Sequence, residues 1–186
     1  MRIVGGSLRG RRLQGPKGQS IRPTTDRNRE TLFNILSHRF GEQLQGRVLD
    51  IFAGTGALGL EALSRGAASV VFVEKSSQGA ALIQEHIQSF GVEETASLLR
   101  RDATRPGKPE NGHQFDLVFA DPPYGKTLGE KAIAALAQND WLAPHAIVVL
   151  EEKKGALPDD LVGFELLDQR NFGETDIGFY QFVTAR

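Results

Sequence analysis

From residue 47 onward, short apolar runs alternate with stretches whose apolar residues recur every three or four positions. The runs at 47–52 (RVLDIF), 69–74 (SVVFVE), 115–120 (FDLVFA) and 146–151 are short and rich in branched and aromatic side chains, so they read as buried strands. Residues 98–100 give a weaker strand. Between them, 57–65 carries Leu58, Ala62 and Leu63 at helical spacing, with Gly66 placed to end the helix. A second helical stretch, 79–90, has Ala80, Ile83 and Ile87 on one face, and 128–138 is a third. Strand and helix alternating in this way predict an α/β fold, a mostly parallel sheet with helices on both faces. The last two runs, 165–171 and 177–183, are joined by residues 172–176 alone. So short a link makes a hairpin, so one strand near the sheet edge should run antiparallel.

The first 45 residues follow a different pattern. Residues 2–4 and 8–13 flank Gly5-Gly6 as a small hairpin, and 15–18 form a turn. Arg22-Pro23-Thr24-Thr25-Asp26 then leads into a helix capped by Thr25 or Asp26, with Leu32, Ile35, Leu36 and Phe40 as its buried stripe. Charge sets this region further apart. Residues 1–39 hold nine basic groups against two acids, whereas the rest of the chain holds 13 against 21, under a formal net charge of only −1. Eight of those nine are arginine, suited to bidentate phosphate contacts and to stacking on bases. A solvated charged face would explain such a run. Its concentration in one fifth of an otherwise acidic chain favours an appendage that binds a polyanion. Arg27 and Arg29 come within about a turn of the cap, where cations oppose the helix dipole, which favours a ligand-facing role for both.

The chain has 186 residues, 40% of them apolar, as expected of one domain with a small appendage. The absence of cysteine excludes disulfide frameworks, thiolate metal sites and cysteine nucleophiles. No apolar run approaches a membrane span, and the opening residues lack the apolar stretch of a secretory signal, so a cytoplasmic protein is expected. His38, His86, His113 and His145 have no metal-ligand spacing and read as surface or boundary residues; no metal site is expected. Trp141 reads as a core anchor and 151–154 (EEKK) as a solvated strand end, while Tyr180 could pack on the sheet or flank a pocket.

Gly54-Thr55-Gly56-Ala57-Leu58-Gly59 stands between a strand and a helix. Glycines there allow a tight turn and close backbone approach to a ligand at a helix N-terminus. The pattern is shared by NAD, FAD and S-adenosylmethionine enzymes and by plain tight turns. Glu74, ending the next strand, could hold both hydroxyls of a ribose. Two further acids separate the cofactors. Asp50 would lie against the loop, suited to an ammonium and unwelcome beside a pyrophosphate, unless it merely caps the loop. Asp102 could accept from an adenine amine, unless it is an ordinary turn residue. Together they favour S-adenosylmethionine over a nicotinamide.

Asp121-Pro122-Pro123-Tyr124 directly follows the run at 115–120. Tandem prolines cannot donate to a ladder, so the strand must stop in a stiff, extended turn that holds its acceptors in one geometry. With this tetrapeptide the chain resembles class I S-adenosylmethionine-dependent methyltransferases that modify exocyclic amines of nucleobases. Arg2-Ile-Val-Gly-Gly, Arg9-Gly-Arg-Arg-Leu13, Arg22-Pro-Thr-Thr-Asp-Arg27, Arg29-Glu-Thr-Leu-Phe-Asn34 and the segment from Asp50 to Leu63 resemble, more closely, the bacterial 16S ribosomal RNA guanine-N2 methyltransferases of the D type. Tyr124 occupies a position that this family also fills with phenylalanine.

The resemblance implies a Rossmann-like, mostly parallel seven-stranded sheet with an antiparallel edge-proximal strand and a small N-terminal hairpin and helix extension. It divides the chain into an RNA-binding extension, 1–40, and a methyltransferase domain, 41–186. It implies catalysis by Asp121, Pro122, Pro123 and Tyr124. Cofactor contacts would come from Asp50, Phe52, Ala53, Gly54, Thr55, Gly56, Glu74, Lys75, Asp102 and Ala103. RNA contacts would come from Arg2, Arg9, Arg11, Arg12, Arg22, Thr24, Thr25, Arg27 and Arg29. The expected partner is 16S ribosomal RNA or the assembling small subunit, met by a monomer. An adenine-N6 methylase acting on DNA or RNA, and a non-catalytic RNA-binding assembly factor, are the competing readings.

Overall fold

The computed structural model describes residues 1–18 and 24–183. Arg22, one of the expected RNA contacts, lies outside them. Seven strands form one sheet: β1 (Arg47–Ile51), β2 (Ser69–Val73), β3 (Ala96–Leu99), β4 (Phe115–Ala120), β5 (Leu142–Lys153), β6 (Phe164–Phe172) and β7 (Thr175–Phe182). Their spatial order is β3-β2-β1-β4-β5-β7-β6, all parallel except β7, which runs antiparallel to both neighbours. This is the class I Rossmann-like sheet, and the antiparallel strand next to the edge falls where the short hairpin link predicts it. The order reverses between β1 and β4, so their C-terminal ends open a crevice.

Side chains alternate faces along each strand, and the sheet has a core on each side. Val48, Leu117, Phe119, Ile147, Val149, Ile177 and Phe179 pack with the apolar faces of α1 (Asp26–Arg39), α3 (Ala57–Ser64) and α4 (Ser77–Phe90). Leu49, Ile51, Val118, Ala120, Val148, Leu150 and Tyr180 pack with α5 (Leu128–Gln138) and Trp141. Runs buried on both faces are what a parallel sheet requires. Trp141 is the expected anchor, stacked on Phe115 at 5.7 Å with its indole N–H donating to Gly107 O at 2.7 Å. Tyr180 packs in the sheet, its hydroxyl donating to Pro158 O at 2.9 Å.

Several boundaries differ from the sequence reading. The third strand lies earlier, at Ala96–Leu99 rather than 98–100. A short helix, α2 (Gly41–Gln45), was not anticipated. β5 starts four residues early, because a register shift between Phe115 and Leu117, with His145 at φ 64°, lets the chain pair across Pro144. α4 gains a residue pair at its start, where the Ser76 hydroxyl accepts from Gly79 N at 3.0 Å as an N-cap.

The N-terminal arm has the expected hairpin form, reduced to one bridge between Arg2 and Arg12 with Ile3 N donating to Arg11 O. It is fastened to α3. Glu61, fully buried, accepts from Val4 N at 3.0 Å and Gly5 N at 2.9 Å, and pairs with Arg29 at 3.4 Å and Arg65 at 3.0 Å. Ser64 adds hydrogen bonds to Gly5, Ser7 and Leu8. Arg29 corrects the sequence reading. Its side chain has no exposed surface and donates to Arg2 O, Thr24 O and Asp26 besides Glu61, so it cannot contact an RNA phosphate from where it stands. With Leu32, Phe33 and Leu36 it forms the buried stripe of α1; Ile35, expected there, is only half-buried. A buried ion pair that loses one partner leaves an uncompensated charge. Glu61→Ala should therefore lower unfolding free energy by about 3–5 kcal/mol in urea titration, and a loss below about 1 kcal/mol would contradict this role.

Candidate active site

At the C-terminal ends of β1, β2, β4 and β5 the crevice deepens into a cavity of about 1290 Å³. One wall is the glycine loop. Phe52 and Gly54 take left-handed φ values of 55° and 59°, a tight reversal that swings the chain off β1. The next two glycines serve other ends. A Cβ on Gly59 would lie 2.4 Å from the Phe72 ring, so its absence brings α3 down onto β2. Gly56, at φ 80°, is the N-cap of α3 and faces Phe72 and Ile83.

Carboxylates hold the loop in place. Asp50, buried on β1, accepts from Gly59 N at 2.9 Å and so caps α3 in place of a side chain at Gly56. Glu74 accepts from Gly54 N at 2.7 Å and Ser76 N at 2.9 Å. The missing Cβ of Gly79, which would lie 2.8 Å from Glu74 Cγ, makes room for it. Asp102 closes a turn by accepting from Thr104 N and its hydroxyl at 2.9 and 2.7 Å, and Lys75 stands 3.8 Å from its second oxygen. The caps and turns expected as plain structural roles for Asp50 and Asp102 are thus present, and both residues also face the cavity. Each acid keeps lone pairs that could meet ligand hydroxyls, an amine or an ammonium.

The opposite wall begins with Asp121-Pro122-Pro123-Tyr124, all four of which line the cavity. Pro122 is buried and Tyr124 is exposed at the rim. Gly129 of α5 admits this turn, since a Cβ there would lie 3.1 Å from Pro122. Burial pushes the Asp121 carboxyl well above its ordinary range, and the charges of Glu151, Asp50 and Glu152 push it further. Burial likewise raises Asp50 to about 8, with Gly59 N–H opposing and the Glu74 charge adding. Asp102 goes the other way, held below the usual carboxylate range by the Thr104 hydrogen bonds and then by Lys75 and Arg105.

Of the ten expected cofactor contacts, nine line the cavity and Gly56 does not. Among the expected RNA contacts, Thr24, Thr25 and Arg29 line it. Thr25 also caps α1 by accepting from Asn28 N at 3.1 Å. Arg2, Arg9, Arg12 and Arg27 are exposed away from the cavity walls. The Arg11 guanidinium is engaged, donating to Ser89 O and lying 4.8 Å over the Phe90 ring. Sequence reasoning missed Met1, Asn28, Glu151 and the β6–β7 turn residues Phe172, Gly173, Glu174 and Thr175, which complete the wall. Glu151 had a usable signal, since it ends a parallel strand where such sheets bind ligands.

His86 is another correction. Expected at the surface or its boundary, it is buried, with Nε2 accepting from Gln14 N at 2.9 Å and Nδ1 2.8 Å from Thr55 O. The ring thereby bridges the arm and the glycine loop. Among the described residues no group of three or more His, Asp or Glu side chains is placed to hold a metal, and no helix is long and apolar enough to cross a membrane.

The model of one family, Conserved hypothetical protein 95, matches residues 1–181. The chain belongs to that family. Ribosomal RNA small subunit methyltransferase D of Haemophilus influenzae is 37% identical over 97% of this chain and 93% of its own length. The protein of that name in Escherichia coli K12 is 37% identical over 97% and 89%. The solved structure of Escherichia coli yhhF superposes with a TM-score of 0.83 at 35% identity, covering 100% of this chain and 99% of that one. This family match thus spans the arm, the glycine loop and the Asp121–Tyr124 turn together.

Asp50 generates a pH test. Its carboxyl is raised from an ordinary 3.8 to about 8, so folding favours its protonated form. The stability this contributes is complete below about pH 4 and is lost as pH climbs through 8, at no more than about 1.4 kcal/mol per pH unit. Denaturant titrations should show wild-type stability falling relative to Asp50→Asn between pH 4 and 8; parallel profiles would contradict the assignment.

Proposed function

We propose that this chain transfers a methyl group from S-adenosylmethionine to the exocyclic N2 amine of a guanine in 16S ribosomal RNA. The observation that carries the reading is that the glycine-loop acids and the Asp121–Tyr124 turn line one cavity. Membership of a family with ribosomal RNA small subunit methyltransferases D supports the substrate class.

The residues present fit the cofactor. The loop at Gly54 carries no side chain that would fill the crevice, Asp50 suits an ammonium, and Glu74 suits ribose hydroxyls. Asp102 suits an adenine amine, with Ala103 and Phe52 as apolar walls. S-adenosylmethionine supplies, when bound, an electrophilic methyl group on a sulfonium. The chain's own task is to make a poor nucleophile attack. A guanine amine has its lone pair delocalised into the ring and must pyramidalise to use it. Asp121 accepts one of its hydrogens and the Pro122 carbonyl the other, fixed acceptors facing the positive charge that develops on nitrogen. Asp121 or water then takes the released proton. Tyr124 stacks on the purine, which must leave its helix or loop to enter. The exposed arginines of the arm hold phosphates and carry little sequence information.

Labelled methyl transfer onto ribosomal RNA from cells lacking the protein tests this, with nucleosides identified by mass spectrometry. N2-methylguanosine is expected; N6-methyladenosine would replace guanine by adenine, and no transfer without cofactor binding would leave an RNA-binding factor. Asp121→Ala should lose about 100-fold or more of turnover while binding the cofactor normally. Because the Asp121 carboxyl is raised, kcat/KM should still climb with pH above the ordinary carboxylate range, and a flat profile there would remove its role as acceptor. Replacing Arg9 and Arg12 by serine should weaken RNA binding and lower the slope of log affinity against log salt by about 2, leaving cofactor affinity unchanged in calorimetry.

A further inference from the structure

Three carboxylates stand at the C-terminal ends of adjacent parallel strands. Asp50 shares the face of Val48 and pairs in register with Phe119. Glu151, two residues beyond Val149 and paired with Ile177, is on that same face, and Asp121 lies two residues beyond Phe119, directly after β4 ends. Ala120, the last residue of β4, pairs with Leu150, so Asp121 follows directly beside Glu151 of β5 at the C-terminal end of the sheet, about one interstrand spacing away. Both line the cavity. Glu151 is also tied to the N-terminal arm, accepting from the Thr24 hydroxyl at 3.4 Å. It lies across Asp121 from the glycine loop and Glu74, next to Ile177 in register. The raised carboxyl of Asp121, with Glu151 the largest contributing charge, is independent support for their proximity.

Two neighbouring carboxylates favour a ligand edge made of donors. Guanine presents one, with N1–H adjacent to the 2-amino group, whereas adenine sets a lone pair at N1 beside its 6-amino group. Building on the methyltransferase reading above, we propose that Glu151 selects the acceptor base by receiving the N1–H of guanine while Asp121 receives a hydrogen of the neighbouring amine. A purine with a lone pair at N1 meets the carboxylate as repulsion and is rejected. Glu151 acts here as a specificity residue, touching the substrate at an atom that does not react.

The test uses small-subunit RNA carrying either guanine or 2-aminopurine at the methylated position. 2-Aminopurine keeps the 2-amino group but offers an acceptor at N1. Wild-type protein should prefer guanine by about 100-fold or more in kcat/KM, since a site built for a donor rejects an analogue lacking it. In Glu151→Gln, whose amide can present either oxygen or NH2, the preference should shrink to about 10-fold or less, with cofactor affinity and thermal midpoint unchanged. Glu151→Asp, which keeps the carboxylate, should retain a preference well above that of the glutamine variant. An unchanged ratio in Glu151→Gln overturns the proposal, and so does equal use of both bases by wild type, a result that needs no variant to fold. In either case N2-methylated product shows that the enzymatic reading survives. Absence of N2-methylguanine from the wild-type reaction with guanine overturns that reading and the role of Glu151 together.

Discussion

The buried carboxylate of Glu61 fastens the N-terminal arm and α1 to the helix that follows the glycine loop. It sits in the middle of α3, the helix that the glycine loop opens, and receives two main-chain amides of the arm and the guanidinium of Arg29 from α1. A carboxylate placed so deep is stable only with charge and donors around it. The hairpin at 1–13 and the start of α1 therefore cannot shift without breaking contacts to a buried ion pair. As a result Met1, Thr24 and Asn28 can serve as cavity wall in the same frame as Asp50 and Glu74. His86 makes a second connection between the same two parts, from the other side of the loop.

The cavity so framed is markedly more acidic than the chain. Six acids, Asp50, Glu74, Asp102, Asp121, Glu151 and Glu174, line it against three bases, Arg29, Lys75 and Arg101, in a protein whose formal net charge is −1. Burial first, and then the charges of neighbouring carboxylates, raise the proton affinity of Asp50 and Asp121. A cationic cofactor and a base edge rich in N–H groups would relieve that crowding. The exposed arginines lie outside it on the arm, where a polyanionic backbone would run. Acids thus outnumber bases in the cavity wall, while the exposed arginines of the arm lie outside it.

Much of this was legible in the sequence because its causes are local. Tandem prolines end β4 wherever they stand, and glycines at 54, 56 and 59 permit a turn and a close helix packing that other residues would obstruct. The alternation of strands and helices gave the sheet, and a short link gave the antiparallel β7. What failed to show was long-range. Arg29 looks like a ligand residue until Glu61, 32 positions away, is brought against it. His86 and Glu151 look like surface residues until Gln14, Thr55 and Thr24 arrive from elsewhere. The length of β5 depends on a bulge that no local signal announces. Burial of a polar side chain is decided by its partner, and the partner is remote.

In the proposed reaction one chamber brings the cofactor and the acceptor base together at Asp121. A crystal structure with S-adenosylhomocysteine bound tests it most directly. The adenine is expected at Asp102 and Ala103, the ribose on Glu74, the amino-acid end against Asp50 and Gly54, and the sulfur turned toward Asp121 and Tyr124. A cofactor bound outside this cavity, or a sulfur facing away from the Asp121–Tyr124 turn, would contradict it.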